Sequence, residues 1–136
     1  MKKRMLSMLT SLVMAISLAG LMPTVTVGAE ELVYNNFKYE ILSDGTISIT
    51  DFSYNLASID IPSTIDGKPV TKIGSGAFFS LKGLSIVKIP DTVTVIGATA
   101  FAMCDKLNNV VIPEGVTVIG EAAFSGCTQL SKVTIP

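Results

Sequence analysis

Apolar residues return along this chain at a fixed interval of 23 positions. Ile89-Pro90, Ile112-Pro113 and Ile135-Pro136 are one such column, and Ile73-Gly74, Ile96-Gly97 and Ile119-Gly120 are another. Ala77-Phe78, Ala100-Phe101 and Ala123-Phe124 keep the same step, as do Val70, Val93 and Val116, and Leu84, Leu107 and Leu130. Cys104 and Cys127 share a column whose earlier occupant is Leu81. An earlier Ile61-Pro62 lies 28 residues before Ile89-Pro90, so the first unit carries five extra residues, around the turn-forming Asp66-Gly67 and Pro69. Internal repetition on this scale is the mark of a stacked-repeat architecture.

Spacing within one unit predicts its local structure. Val87 and Ile89, Val110 and Ile112, and Val133 and Ile135 alternate as in a short strand with one face buried. Proline closes each strand, where a missing N–H is tolerated. Val93 to Ile96 fits a second short extended piece ended by glycine. Ala100-Phe101 to Leu107 places apolar residues at three-residue steps, which predicts a helical turn or short 3₁₀ segment. No unit can bury its apolar side alone, so the units must stack with strands about 4.8 Å apart, forming a repeat solenoid of short parallel β-strands. The array is expected over 59–136, in units of about 59–86, 87–109 and 110–132 with a partial 133–136. Gly74, Gly97 and Gly120 are expected where the backbone needs positive φ or close approach.

Before the array, Phe37 to Thr50 reads as a hairpin turning at Ser43-Asp44-Gly45. Residues 30–58 are therefore expected to form an N-terminal β-hairpin cap over the first coil, a reading favoured over a ligand site lined by Tyr34, Tyr39 and Tyr54. Residues 1–29 have the order of a secretory signal peptide: basic Lys2-Lys3-Arg4, an apolar Met5–Met22, then Val27-Gly28-Ala29 as an exit before Glu30. A permanent span is the competing reading, since 18 apolar residues are about the minimum for crossing hydrocarbon. Pro23 and the small-residue exit favour cleavage, and hence no membrane association afterwards.

Composition narrows the chemistry. The 136 residues include no histidine and no tryptophan. Residues 30–136 keep seven lysines, no arginine and all 11 acids. An acidic, arginine-free chain is poorly suited to nucleic acid. Lack of histidine removes triad chemistry and most transition-metal sites, and the glycines match no phosphate-binding pattern. Asp91, Asp105, Glu114 and Glu121 read as solvated charges in non-repeating columns. No catalytic, metal-binding or cofactor-binding residues are expected.

The unit Val-x-Ile-Pro-x-x-Val-x-x-Ile-Gly-x-x-Ala-Phe-x-x-Cys-x-x-Leu resembles the BspA-like leucine-rich repeat, the bacterial surface antigen type, over about residues 37–136. The resemblance implies a right-handed leucine-rich-repeat coil in a secreted or cell-surface bacterial protein, with roles in adhesion and host interaction. The implied partner is a protein or other macromolecule at the cell surface. The array is short for that family, and residues 37–136 hold none of the anchoring or partner domains usual after it; a truncated piece of a longer array is one expectation.

Two features remain to be placed. Stacked coils would hold Cys104 and Cys127 within the disulfide Cα range of roughly 4.4–6.8 Å, but parallel Cβ vectors would leave the Cβ atoms near 5 Å where a bridge wants about 3.8 Å. Buried free thiols are the favoured reading and a bridge the alternative. If Val87 and Ile89 point inward, then Ile86 and Lys88, Asn109 and Val111, and Lys132 and Thr134 point outward as a ladder, the candidate binding face. Val133 to Pro136 would leave an uncovered coil open to self-association. The expected function is a secreted, non-catalytic binding or adhesion module. The alternatives are a non-catalytic repeat region of a longer exported enzyme and a structural stalk.

Overall fold

The computed structural model describes residues 30–136 together with the backbone of Arg4–Met5. The remainder of the expected leader, residues 1–29, lies outside the described residues. In chain order the strands are β1 (Arg4–Met5), β2 (Leu32–Tyr34), β3 (Phe37–Ile41), β4 (Ile47–Phe52), β5 (Ser58–Asp60), β6 (Thr64–Ile65), β7 (Lys68–Ile73), β8 (Ile86–Lys88), β9 (Val95–Ile96), β10 (Asn109–Val111), β11 (Val118–Ile119) and β12 (Lys132–Thr134).

Each coil contributes one strand to each of two sheets. The first sheet runs β5-β8-β10-β12, all parallel, with Val87 beside Val110 and Val110 beside Val133. The second contains β7, β9 and β11 in parallel, with Ile73 beside Ile96 and Ile96 beside Ile119. The result is the parallel β-solenoid of about four turns that the 23-residue period predicts. Between the sheets lie Ile73, Phe78, Leu84, Val93, Ile96, Phe101 and Leu107, all completely buried.

The hairpin forms as expected in outline, β3 pairing antiparallel with β4, but it joins the array differently. β4 lies parallel to β7, placing Ile47 beside Val70 and Ile49 beside Ile73. It is thus an irregular first rung of the second sheet, and a register shift after Ile47 absorbs the mismatch. β2 and the tight Asn35-Asn36 turn add a further antiparallel strand, β2 on β3.

The segments expected to be helical or 3₁₀ turns are neither, and no helix occurs among the described residues. The reason is in the hydrogen bonds. The N–H groups of Gly76, Phe78 and Ser80 donate to the carbonyls of Ala98, Ala100 and Ala102 in the next coil, at 2.8–3.0 Å. Those of Ala77 and Phe79 donate back to Gly74 and Gly76. A helix would direct every N–H along its own axis, whereas here alternate groups knit coil to coil. That alternation requires left-handed residues at two columns: Gly76, Thr99 and Ala122 at φ of 67°, 53° and 55°, and Ser80, Met103 and Gly126 at 61°, 62° and 73°.

The Ile-Gly glycines serve close approach, not positive φ. A Cβ on Gly97 would lie 2.6 Å from Ser75 N, and one on Gly74 2.7 Å from Ile49 O. Both contacts are below any tolerable van der Waals distance. The Ala-Phe column forms a continuous ring stack: Phe78 and Phe101 are 5.0 Å apart at 4°, and Phe101 and Phe124 are 5.4 Å apart at 2°. Phe52 of β4 extends it at 5.8 Å from Phe78.

Two stability outcomes follow. Phe101→Ala, which breaks the stack at its centre, should cost roughly 3–5 kcal/mol in urea unfolding. Thr99→Gly should instead raise stability by about 1 kcal/mol, because a β-branched residue holds a left-handed conformation there. A loss of stability in that variant would show that Thr99 contributes more through its side chain than its backbone strain removes.

Candidate functional site

The outward ladder is assembled on the β5-β8-β10-β12 sheet. Alternation puts Val87 and Val110 into the core and turns their neighbours out. Ile86, Asn109 and Lys132 share one register row, and Val111 pairs with Thr134 in the next. All six expected residues therefore lie on one face. Ile86 and Val111 are 56% and 54% exposed, two large apolar side chains open to solvent on this face. Lys132 has no ion-pair partner among the described residues.

The ladder is one rung longer than the sequence reading placed it. Ser58 pairs with Ile86 and Asp60 with Lys88, so both join the face. The five-residue insertion in the first unit obscured them, although Ser58-Ile59-Asp60-Ile61-Pro62 repeats the pattern of Ile86-Val87-Lys88-Ile89-Pro90. Asp60 and Lys88 approach to 3.9 Å with side chains about three-quarters exposed, 74% and 76%. An exposed pair at that distance contributes little to stability and is open to exchange with a partner's charge.

At the carboxyl ends of β10 and β12 the face runs into an open hollow of about 630 Å³. Val111 and Thr134 line it together with Asp91, Pro113, Glu114 and Pro136. Asp91 and Glu114 are one repeat apart and therefore do share a column. Both are exposed, as expected of solvated charges.

A second periodic polar feature escaped the sequence reading. Thr71, Thr94 and Thr117 stand 23 apart. The hydroxyls of Thr94 and Thr117 each donate to the preceding threonine's carbonyl at 3.3 Å, and Thr46 and Thr71 hydroxyls meet at 2.8 Å. Their polar atoms are used within the solenoid, which reads as coil-to-coil bonding and not as a site.

Both cysteines are free thiols. Each donates across the coil boundary: Cys104 Sγ to Phe78 O and Cys127 Sγ to Phe101 O, both at 3.1 Å. Burial pushes the Cys104 thiol from its ordinary 9.0 up to about 11, and burial also raises that of Cys127. Both are thus protonated and poorly nucleophilic at neutral pH. Tyr39 bonds Asp66 at 3.3 Å and is buried, while Tyr54 is exposed, so the tyrosines do not line a common site. Among the described residues no group of three or more histidine, cysteine or acidic side chains could hold a metal ion. No helix there is long and apolar enough to cross a membrane.

The last coil is uncovered. Ile119, Val133 and Ile135 are exposed where their counterparts Ile96, Val110 and Ile112 are buried, and Phe124, Cys127 and Leu130 are only half-buried.

Residues 45–136 match the family model of the BspA type leucine rich repeat region, in 6 copies. Among solved structures, the chain is similar to a leucine-rich repeat protein from Bacteroides capillosus ATCC 29799. The two are 25% identical with a TM-score of 0.56, covering 78% of this chain and 98% of that one. A leucine-rich repeat protein of T. pallidum is 23% identical with a TM-score of 0.48, over 79% of this chain and 72% of the other. A leucine-rich cell surface protein from Faecalibacterium prausnitzii A2-165 is 23% identical with a TM-score of 0.42, over 79% and 43%. No curated protein matches the sequence.

The thiol geometry predicts a pH dependence. The unfolded Cys104 ionises near 9.0 and the folded one near 11, so its contribution is intact below pH 9.0 and lost as the pH rises toward 11. Urea unfolding should show a fall on the order of 2 kcal/mol across that window. Cys104→Leu, matching the column's Leu81, should reduce it, leaving the smaller contribution of Cys127. An equal fall in that variant would assign the dependence to other groups.

Proposed function

Because the chain belongs to the BspA-type leucine-rich repeat family, we propose that it is an exported, non-catalytic module that binds a macromolecule through the β5-β8-β10-β12 face. The observation that carries this reading is the unpartnered sheet face itself, with Ile86 and Val111 more than half exposed at its centre. Lys88, Asn109, Lys132 and Thr134 complete the contact set, and Ser58 and Asp60 extend it. Exposed apolar area ringed by polar groups is the usual composition of a protein-binding surface.

Export is supported by the order of charge, apolar run and small-residue exit in residues 1–29, and a cell-surface adhesive role by the family resemblance. In this reading residues 30–58 serve as a cap and residues 59–136 as the binding array. Absence of catalysis is supported by the lack of histidine and by thiols held protonated. The exposed Ile119, Val133 and Ile135 support self-association as a second contact, at the last coil.

The face is tested by paired charge reversal. Lys88→Glu with Lys132→Glu should leave the unfolding midpoint within about 0.5 kcal/mol of the parent, as surface changes do. It should weaken retention of the native surface partner at least tenfold in a pull-down followed by quantitative titration. Undiminished binding by the double variant would place the site elsewhere.

A further inference from the structure

The N-terminal strands extend only one of the two sheets. The second sheet passes from β7 to β4 and on to β3 and β2, but among the described residues the first stops at β5, whose only neighbour there is β8. Backbone polar groups of a strand point alternately to its two sides. Ala57 O accepts from Ile86 N, and Ile61 N donates to Lys88 O, both at 3.1 Å. Residues 57, 59 and 61 therefore face β8. Ser58 and Asp60 turn their N–H and C=O groups to the open side, and the next outward position, Pro62, has no N–H. Beside this edge, in the segment leading into β5, Tyr54 and Leu56 are 53% and 46% exposed.

We propose that the outer edge of β5 is a strand-addition site, taking an extended segment of a partner polypeptide with apolar side chains directed at Tyr54 and Leu56. The chemistry selects that occupant. Ser58 and Asp60 present donor and acceptor in alternation along a strand, an arrangement complemented by another backbone and by no compact ligand. The added strand would form a new first rung in line with the Ser58–Ile86 and Asp60–Lys88 rows, continuous with the binding face. The inference rests on the reading that the array binds polypeptide. With two residues contributing main-chain bonds, the edge orients and extends a partner already held by the face.

The test uses the full chain, isotope-labelled, and a synthetic peptide with the sequence of residues 84–90, Leu-Ser-Ile-Val-Lys-Ile-Pro, the segment that pairs with β5 on its inner side. Amide exchange is followed with and without peptide at near-millimolar concentration. Free protein should exchange Ser58 and Asp60 rapidly and Ile59 slowly. Peptide should slow Ser58 and Asp60 at least tenfold and leave Ile59 unchanged. Asp60→Pro removes the outward N–H together with the exposed carboxylate near Lys88, and should abolish the effect while Ile59 stays protected; Asp60→Ala, which loses the carboxylate alone, should keep it. Should Ile59 lose protection in that variant, Ser58→Pro carries the same test. The Lys88→Glu, Lys132→Glu variant should keep the edge effect, so failure of the edge and failure of the face are read separately. Unchanged exchange at Ser58 and Asp60, protection confined to the β12 edge, or an effect surviving the proline variants would overturn the proposal.

Discussion

Everything in this molecule depends on the separation between successive coils, which interstrand hydrogen bonding holds near 4.8 Å. That distance is shorter than most pairs of side chains prefer, so each column must solve the same stacking problem in every coil. Phenylalanine solves it with rings parallel to within a few degrees, 4° and 2° in the two central pairs. Gly74, Gly97 and Gly120 solve it by having no side chain where one backbone passes directly over another. The cysteines solve it by donating each thiol to a phenylalanine carbonyl one coil earlier, while burial raises the pKa of both thiols and suppresses their chemistry.

The same constraint explains the irregular backbone of the turn segments. Three-residue apolar spacing is compatible with a helix, and local propensity alone does not exclude one. Stacking at this distance requires the N–H groups of Gly76, Phe78 and Ser80 to reach the neighbouring coil, and a helix would withhold them. The chain accepts left-handed conformations at Thr99, Met103 and Ala122 in exchange for those bonds. Local strain is thereby tied to coil-to-coil cohesion.

The first and last described coils differ from those between them. At the N-terminal side, Phe37 and Phe52 close over Phe78, and β4 supplies a rung to the second sheet. Among the described residues the first sheet receives no such rung and ends at β5. At the other end Ile119, Val133 and Ile135 retain the exposure that stacking removes from the same columns in earlier coils. The proposed binding surface lies between these ends, on a sheet whose inward face is occupied and whose outward face is unpartnered among the described residues.

The sequence by itself determined the period, the inward columns and the six outward residues, because each depends on spacing that recurs in every unit. It also excluded histidine chemistry outright. Only the tertiary structure decided that the turns are not helical, that the glycines serve close approach, that β4 is a rung, and that Ser58 and Asp60 belong to the face. These depend on the register between coils, a relation between residues 23 to 28 positions apart that local spacing does not encode where an insertion interrupts the repeat. The hydrogen-bonded stacking of one coil on the next sets that register, and with it which backbone groups are used and which remain open to a partner.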